Sequence, residues 1–257
     1  MNTANVKNRG YFKIKGAASA FNFDFKDKIV LDIGSSTGGF TQYALDQGAR
    51  KVIAVEKGTG QMKKPLRNDP RVELHEKTDI FGVGIAPSEG FRSAPVAGQA
   101  PAAHGDGPAG RGPMKEAIPT PDIILADVSF ISLTKILKYA KNNLAGKSTD
   151  FLVMLKPQFE ADDRDLKDGI VKNETIRRNI IKKFEQWLKN NGFVIMNKKD
   201  NELQGKHGNT ERFYWLKIAY SQMRKWLYLR PNCLHFNMFK LIIKLWIYCM
   251  AWAISSR

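Results

Sequence analysis

Three short apolar runs in this chain each stop at a charged residue, and that pattern limits the fold more than any other feature. KVIAV (51–55) ends at Glu56, DIILA (122–126) at Asp127 and FLVML (151–155) at Lys156. A fourth run, KIVLDI (28–33), carries Asp32 and ends at Gly34. Runs of five or six mostly aliphatic residues, with no polar alternation, read as strands covered on both faces. A weaker strand lies at 72–74, and two more, at 193–196 and 213–217, follow Gly192. Between them, 41–47 has a helical pattern closed by Gly48, and 174–190 places Ile176, Ile180, Ile181, Phe184 and Leu188 at helical spacing. Strands alternating with helices predict an α/β, doubly wound, mostly parallel sheet with an antiparallel terminal strand. Ligands bind such sheets beyond the carboxyl ends of the strands, where the charged residues fall.

A chain of 257 residues can bury one core of this size, with a short appendage. Two segments depart from the pattern. Residues 82–121 hold eight Gly, eight Ala and seven Pro and show neither period. Such a stretch buries too little to offset its ordering entropy and is expected to be a disordered insertion. Residues 220–257 form a basic, apolar extension in which Lys240 and Lys244 interrupt a nearly continuous apolar run. Those charges make a membrane span costly, so docking to a partner, or an extension that packs poorly, is favoured over membrane contact. The domain proper is therefore expected over 1–219.

The net charge of +16 suits a polyanionic partner such as RNA. Six of the 41 basic residues and none of the 25 acidic ones lie in the extension, so residues 1–219 carry a milder +10. Both cysteines, Cys233 and Cys249, also lie there. The body therefore has no disulfide framework and no cysteine metal site; a cytoplasmic location is expected and no metal is required. The first residues contain no apolar run of signal-peptide length.

The stretch 32–40, DIGSSTGGF, is a strand end, a turn of small residues and a helix start. Glycine lets the backbone approach a ligand, and amides at a helix start bind polar or negative groups. A dinucleotide fingerprint would have glycine where Ser36 stands. An acid two residues before the first glycine suits the cationic amino end of S-adenosylmethionine, which has no pyrophosphate to be repelled. The expected cofactor residues are Asp32, Gly34, Ser35, Ser36, Gly38, Gly39 and Phe40. Glu56, at the next strand end, is expected on the ribose hydroxyls, Asp79 on the adenine edge, and Asp127 is counted with them among the cofactor residues. Taken singly, each acid is more often a helix cap or solvated loop residue; three at successive strand ends support one another.

Lys156, between FLVML and Pro157, should project its amine over the sheet edge. Asp127 occupies a neighbouring strand end, Lys13 sits among Tyr11, Phe12 and Ile14, and Glu211 precedes the last strand. Individually these are ordinary surface charges or halves of ion pairs. Converging, they suit removal of a proton from a ribose 2′-hydroxyl. Lys156 is the expected base, with Lys13 lowering its proton affinity and Asp127 and Glu211 orienting the amines.

Across RGYFKIKGA (9–17), KIVLDIGSSTGGFT (28–41), GARKVIAVEKGTGQ (48–61), LRNDPRVELHEKTDI (66–80), PDIILADVSFISL (121–133), LKPQFE (155–160) and GNTERFYWLK (208–217), the sequence resembles the hemolysin TlyA-type branch of the FtsJ-like RNA methyltransferases. The resemblance covers most of 9–219 outside the insertion. It implies a Rossmann-like S-adenosylmethionine-dependent methyltransferase fold, a Lys-Asp-Lys-Glu tetrad at Lys13, Asp127, Lys156 and Glu211, and cytidine ribose of ribosomal RNA, free or in a subunit, as substrate. Some members carry a hemolysin label, which implies a membrane-active alternative; a catalytically silent RNA-binding module is another. The family's usual N-terminal RNA-binding domain has no counterpart ahead of Arg9, and the insertion and extension also depart from the family pattern.

Overall fold

The computed structural model describes residues 7–86, 116–203, 205 and 208–219. Helix α1 (Arg9–Phe21) is followed by β1 (Ile29–Ile33), α2 (Gly39–Asp46), β2 (Lys51–Val55), the one-turn α3 (Lys64–Arg67) and β3 (Val72–His75). Then come β4 (Val83–Ile85), β5 (Glu116–Ile118), β6 (Ile123–Ala126), α4 (Leu133–Asn143), β7 (Asp150–Leu155), α5 (Glu174–Asn190), β8 (Phe193–Asp200) and β9 (Arg212–Ile218). Seven strands make one sheet in the order β3-β2-β1-β6-β7-β9-β8. Every pairing is parallel except those of β9, which runs antiparallel to both β7 and β8. The chain winds outward from β1 through β2 to β3, then returns to place β6 on the other side of β1. That reversal opens a crevice at the carboxyl ends of β1 and β6.

The period-2 geometry of the strands sends alternate side chains into two cores. On one face Leu31, Ile33, Ile53, Ile124, Val153 and Tyr214 pack under α4 and α5. On the other Val30, Val52, Leu125, Leu152 and Phe213 pack under α1 and α2. Leu125 and Leu152 are fully buried, which explains why these strands read as continuous apolar runs.

The strands expected at 28–33, 51–55, 72–74, 122–126 and 151–155 are present within one residue at each end, and α5 matches its expected bounds. Strand β8 runs four residues longer than expected, because its partner β9 continues to pair with it through Asp200↔Arg212. Three helices were not expected, the single turn α3 and two longer ones. In α1, Tyr11, Ile14, Ala17, Ala18 and Phe21 form a buried face and Asn8 caps the first turn; in α4, Leu133, Ile136, Leu137 and Ala140 do the same behind the cap Ser132. The stretch expected to lack structure is ordered at both margins. Val83–Ile85 pairs in parallel with Glu116–Ile118, and the hydroxyl of Tyr139 on α4 donates to the Phe81 and Val83 carbonyls. Residues 87–115 and 220–257, on which the insertion and extension readings rest, lie outside the described residues. Among the described residues no helix is long and apolar enough to cross a membrane.

Candidate active site

The register of the sheet lines up the chemistry. Ile33 pairs with Ala126, so the next residues, Gly34 and Asp127, stand side by side. Leu155 pairs with Arg212, which sets Lys156 beside Glu211 although 55 residues separate them. Read across the sheet, the edge runs Glu56, Gly34, Asp127, Lys156, Glu211. Glu56 and the glycine turn occupy one half, and the lysine and its carboxylates the other.

In the second half the side chains form two pairs. Lys156 Nζ lies 2.5 Å from Asp127 Oδ1 and donates to Ser129 Oγ at 2.9 Å. Lys13 Nζ donates to Glu211 Oε2 at 2.5 Å, with both residues buried. Desolvating two charges costs about as much as their attraction returns, so a buried pair of this kind is a poor device for stability alone. Lys13 arrives there because α1 is clamped to the glycine turn. The Asn8 amide donates to Thr37 Oγ1 at 2.8 Å while its carbonyl oxygen accepts from Tyr11 N at 3.0 Å. The backbones cross so closely that a Cβ on Gly39 would lie 2.2 Å from Asn8 Oδ1 and 2.8 Å from Tyr11 N.

The glycine turn shows which small residues the fold itself requires. Gly34 and Gly38 have φ of 79° and 87°, a region that favours glycine. A Cβ on Gly34 would sit 3.1 Å from the Asp127 carbonyl oxygen, and one on Gly38 would strike Leu66. Phe40 turns its ring inward against Phe213, with centroids 6.0 Å apart, so only its backbone remains at the helix start. Ser36, at φ 48°, donates its N–H to Glu56 Oε2 at 2.8 Å, and Gly58 N–H reaches Glu56 Oε1 at 2.7 Å. Gln61 ties the same corner together, accepting from the Ser36 hydroxyl at 2.9 Å.

Asp32 is fully buried, and Thr41 Oγ1 donates to its Oδ2 at 2.7 Å. Burial pushes its carboxyl up from 3.8 to about 7; the Thr41 hydrogen bond opposes the rise, and the nearby Asp127 and Glu56 carboxylates add to it. Its Oδ1 and the buried Ser35 Oγ have no hydrogen-bond partner. Orphaned acceptors of this kind are rare in folded proteins. A ligand bringing an ammonium group would satisfy them and offset the clustered carboxylates, so these residues fit the amino-acid end of S-adenosylmethionine. Asp79 is half-exposed, accepts from Phe81 N at 3.2 Å and pairs at 3.3 Å with Lys57, the residue after Glu56.

Around Lys156 the structure adds Phe130, Phe159 and Glu160 to Ser129. Phe130 is 92% exposed, sits at φ 62° and leans on Phe159, whose ring lies 6.0 Å below Lys156 Nζ. A bulky residue held in the left-handed region with its ring in solvent costs energy and stabilises no core, so its reason lies outside the fold. Glu160 locks the two loops together, accepting from the Ser132 hydroxyl at 2.7 Å and Leu133 N at 2.6 Å at the start of α4. Burial raises its carboxyl above the usual range. The sequence signal was an aromatic, Phe130, three residues beyond the strand-ending Asp127 and flanked by Ser129 and, one residue further on, Ser132.

Comparison with known proteins agrees with this geometry. The model of the FtsJ-like methyltransferase family matches residues 6–218. The chain is 33% identical over 210 residues to the 16S/23S rRNA (cytidine-2′-O)-methyltransferase TlyA of Mycobacterium tuberculosis, covering 81% of this chain and 67% of that protein. It is 31% identical over 209 residues to the 23S rRNA (cytidine-2′-O)-methyltransferase TlyA of Campylobacter jejuni, with 80% and 69% covered. A crystal structure described as a hemolysin of Lactococcus lactis superposes with a TM-score of 0.67 at 27% identity, over 85% of this chain and 94% of the other. With the glycine turn, the strand-end acids and the two lysine–carboxylate pairs all inside the matched span, the chain belongs to the FtsJ-like methyltransferase family.

Proposed function

We propose that this chain methylates the 2′-hydroxyl of a cytidine ribose in ribosomal RNA, with S-adenosylmethionine as donor. The observation that carries the reading is the sheet edge itself, where a buried acid and glycine turn adjoin Asp127–Lys156 and Lys13–Glu211. The names of the relatives at 31–33% identity support the choice of ribose and of ribosomal RNA.

S-adenosylmethionine supplies a methyl group on a sulfonium, ready for in-line displacement. Asp32 and Ser35 would hold its amino-acid end and Glu56 its ribose, exchanging the present hydrogen bonds from Ser36 and Gly58 for ribose hydroxyls. Lys156 takes the proton of the attacking 2′-hydroxyl. Asp127 and Ser129 aim its amine, and Lys13 reaches the same sheet edge through Glu211. Glu211 keeps Lys13 in place. Phe130 offers a stacking face for the target base, a role in which one ring is worth about 1–3 kcal/mol. Much of the acceleration comes from alignment of hydroxyl, methyl carbon and leaving sulfur.

The test is transfer of tritiated methyl groups to ribosomal RNA, with the product nucleotide mapped. Lys156→Ala should slow transfer by about 10²–10⁴-fold, the usual contribution of a positioned base. Calorimetric titration with S-adenosylmethionine should be unchanged in that variant. Failure of the folded wild-type chain to bind S-adenosylmethionine would overturn the proposal.

A further inference from the structure

A second recess lies beside the Lys13–Glu211 pair, between α1 and the residues at the end of β8, 199–203. Its volume is about 210 Å³, and Phe12, Gly16 and Ala17 form one wall. Asn201, Leu203 and Phe213 form the other, together with two carboxylates that are already paired, Glu202 with Lys199 at 2.7 Å and Asp200 with Arg177 and Arg212. Phe12 is 45% exposed and Leu203 41% exposed, so two of the four exposed large hydrophobic side chains among the described residues face this one recess. Asn201 connects it to the site already described: its backbone N–H donates to the Glu211 carbonyl at 2.8 Å, and its side-chain amide lies 3.5 Å from Glu211 Oε2.

Gly16 is the informative residue. It lies inside α1, where glycine weakens a helix relative to alanine. Its φ is not positive, and a Cβ built on it meets nothing within 4 Å beyond its own helix, unlike the crossing glycine Gly39. Neither backbone conformation nor packing requires glycine there. What it provides is an open wall.

Resting on the reading that this chain acts on RNA, we infer that the recess receives one nucleobase of the RNA strand, from the nucleotide next to the one that is methylated. The chemistry of the walls selects a flat heterocycle. Phe12 supplies an aromatic face and Leu203 and Phe213 apolar contact, while the Asn201 amide, whose Oδ1 accepts from Leu203 N at 3.3 Å and whose Nδ2 lies 3.5 Å from Glu211 Oε2, keeps one N–H and one lone pair for a base edge. Exposed Lys15, with no ion pair among the described residues, lies beside Phe12 and Gly16 where a phosphate would pass. The volume falls below the ~300 Å³ at which drug-sized ligands begin, which suits a single base. Lys13 follows Phe12 directly in α1, so a base in the recess would fix the strand one side chain away from the proton-transfer pairs.

The test fills the recess in the full chain. Gly16→Ala should melt no lower than wild type, since a Cβ there meets nothing within 4 Å beyond its own helix, and the melt of Gly16→Leu shows that it folds. Gly16→Leu should raise the KM for ribosomal RNA about five- to tenfold, with kcat within twofold and S-adenosylmethionine binding unchanged. Phe12→Ala should shift KM in the same direction. Separately, a ribodinucleotide titrated into isotope-labelled chain should move the amide signals of Gly16 and Asn201, and Gly16→Leu should abolish those shifts. A wild-type KM in Gly16→Leu overturns the inference while leaving the methyltransferase reading intact. Absence of methyl transfer in wild type overturns that reading, and the recess is then judged on the amide shifts, whose absence overturns it.

Discussion

Single residues at this sheet edge are placed at the expense of stability. Asp32 shows it most directly, because the folded chain holds its proton up to about pH 7, well above the 3.8 of an exposed carboxyl. The unfolded chain releases that proton earlier. Folding stability therefore falls as pH rises from about 4 to about 7 and stays at the lower value above that range. Asp32→Asn removes the ionisation, so thermal melts should show little difference from wild type at pH 4 and a variant more stable by about 2–4 kcal/mol at pH 8, each kcal/mol raising the midpoint of a domain of this size by roughly 2–4 °C. The same variant should bind S-adenosylmethionine more weakly, having lost the charge that faces an ammonium. A drop in stability at pH 8 would show that the Thr41 hydrogen bond outweighs burial. At this scale the sequence was explicit about type and position: every strand-end acid and both lysines could be named from it. It could not show that Asp79 is held by Lys57 and Phe81 N, that Phe40 packs inward, or that Phe130 points outward, because those depend on loop conformation rather than on strand period.

Among elements, α1 is the one that converts a common α/β layout into this site. It brings Lys13 to Glu211 only because α1 and α2 cross at Gly10 and Gly39, where each presents no side chain to the other. Gly39→Ala would push a methyl group into the Tyr11 backbone nitrogen as well as the movable Asn8 side chain, so α1 must shift. The cost should be about 1–3 kcal/mol, as for other overpacked contacts, seen as a lower midpoint in urea. Methyl transfer should fall further than stability does, because Lys13 moves with the helix. Gly16→Ala, on the same helix but facing open space, should instead gain about 0.5–1 kcal/mol. The strands were legible because burial on both faces leaves an unbroken apolar run. Helix α1 was not, although Asn8 and the Tyr11, Ile14, Ala17, Ala18, Phe21 spacing were present, because two glycines and an internal lysine dilute its pattern. The β4–β5 pair joins segments on either side of 87–115, and no local period announces a contact between them.

For the whole molecule the question is which part recognises a polyanion. The net charge of +16 drops to +10 when 220–257 is set aside, yet Met1–Ile218 forms a compact unit whose sheet is complete at Ile218. Strand β9 lies between β7 and β8, so a chain ending before it would lose both pairings; one ending after Ala219 loses none of the pairings among the described residues. A chain of residues 1–219 should therefore melt within about 2 °C of the full chain, less than 1 kcal/mol shifts a domain of this size. It should also bind S-adenosylmethionine with unchanged affinity. Each phosphate neutralised on single-stranded RNA contributes about −0.7 to the slope of log affinity against log salt. If the cations that meet RNA are those around α1 and Lys156, removal of the extension should leave that slope within about one unit. A slope that collapses by several units would place RNA capture in 220–257 and leave the folded unit with cofactor binding and chemistry alone.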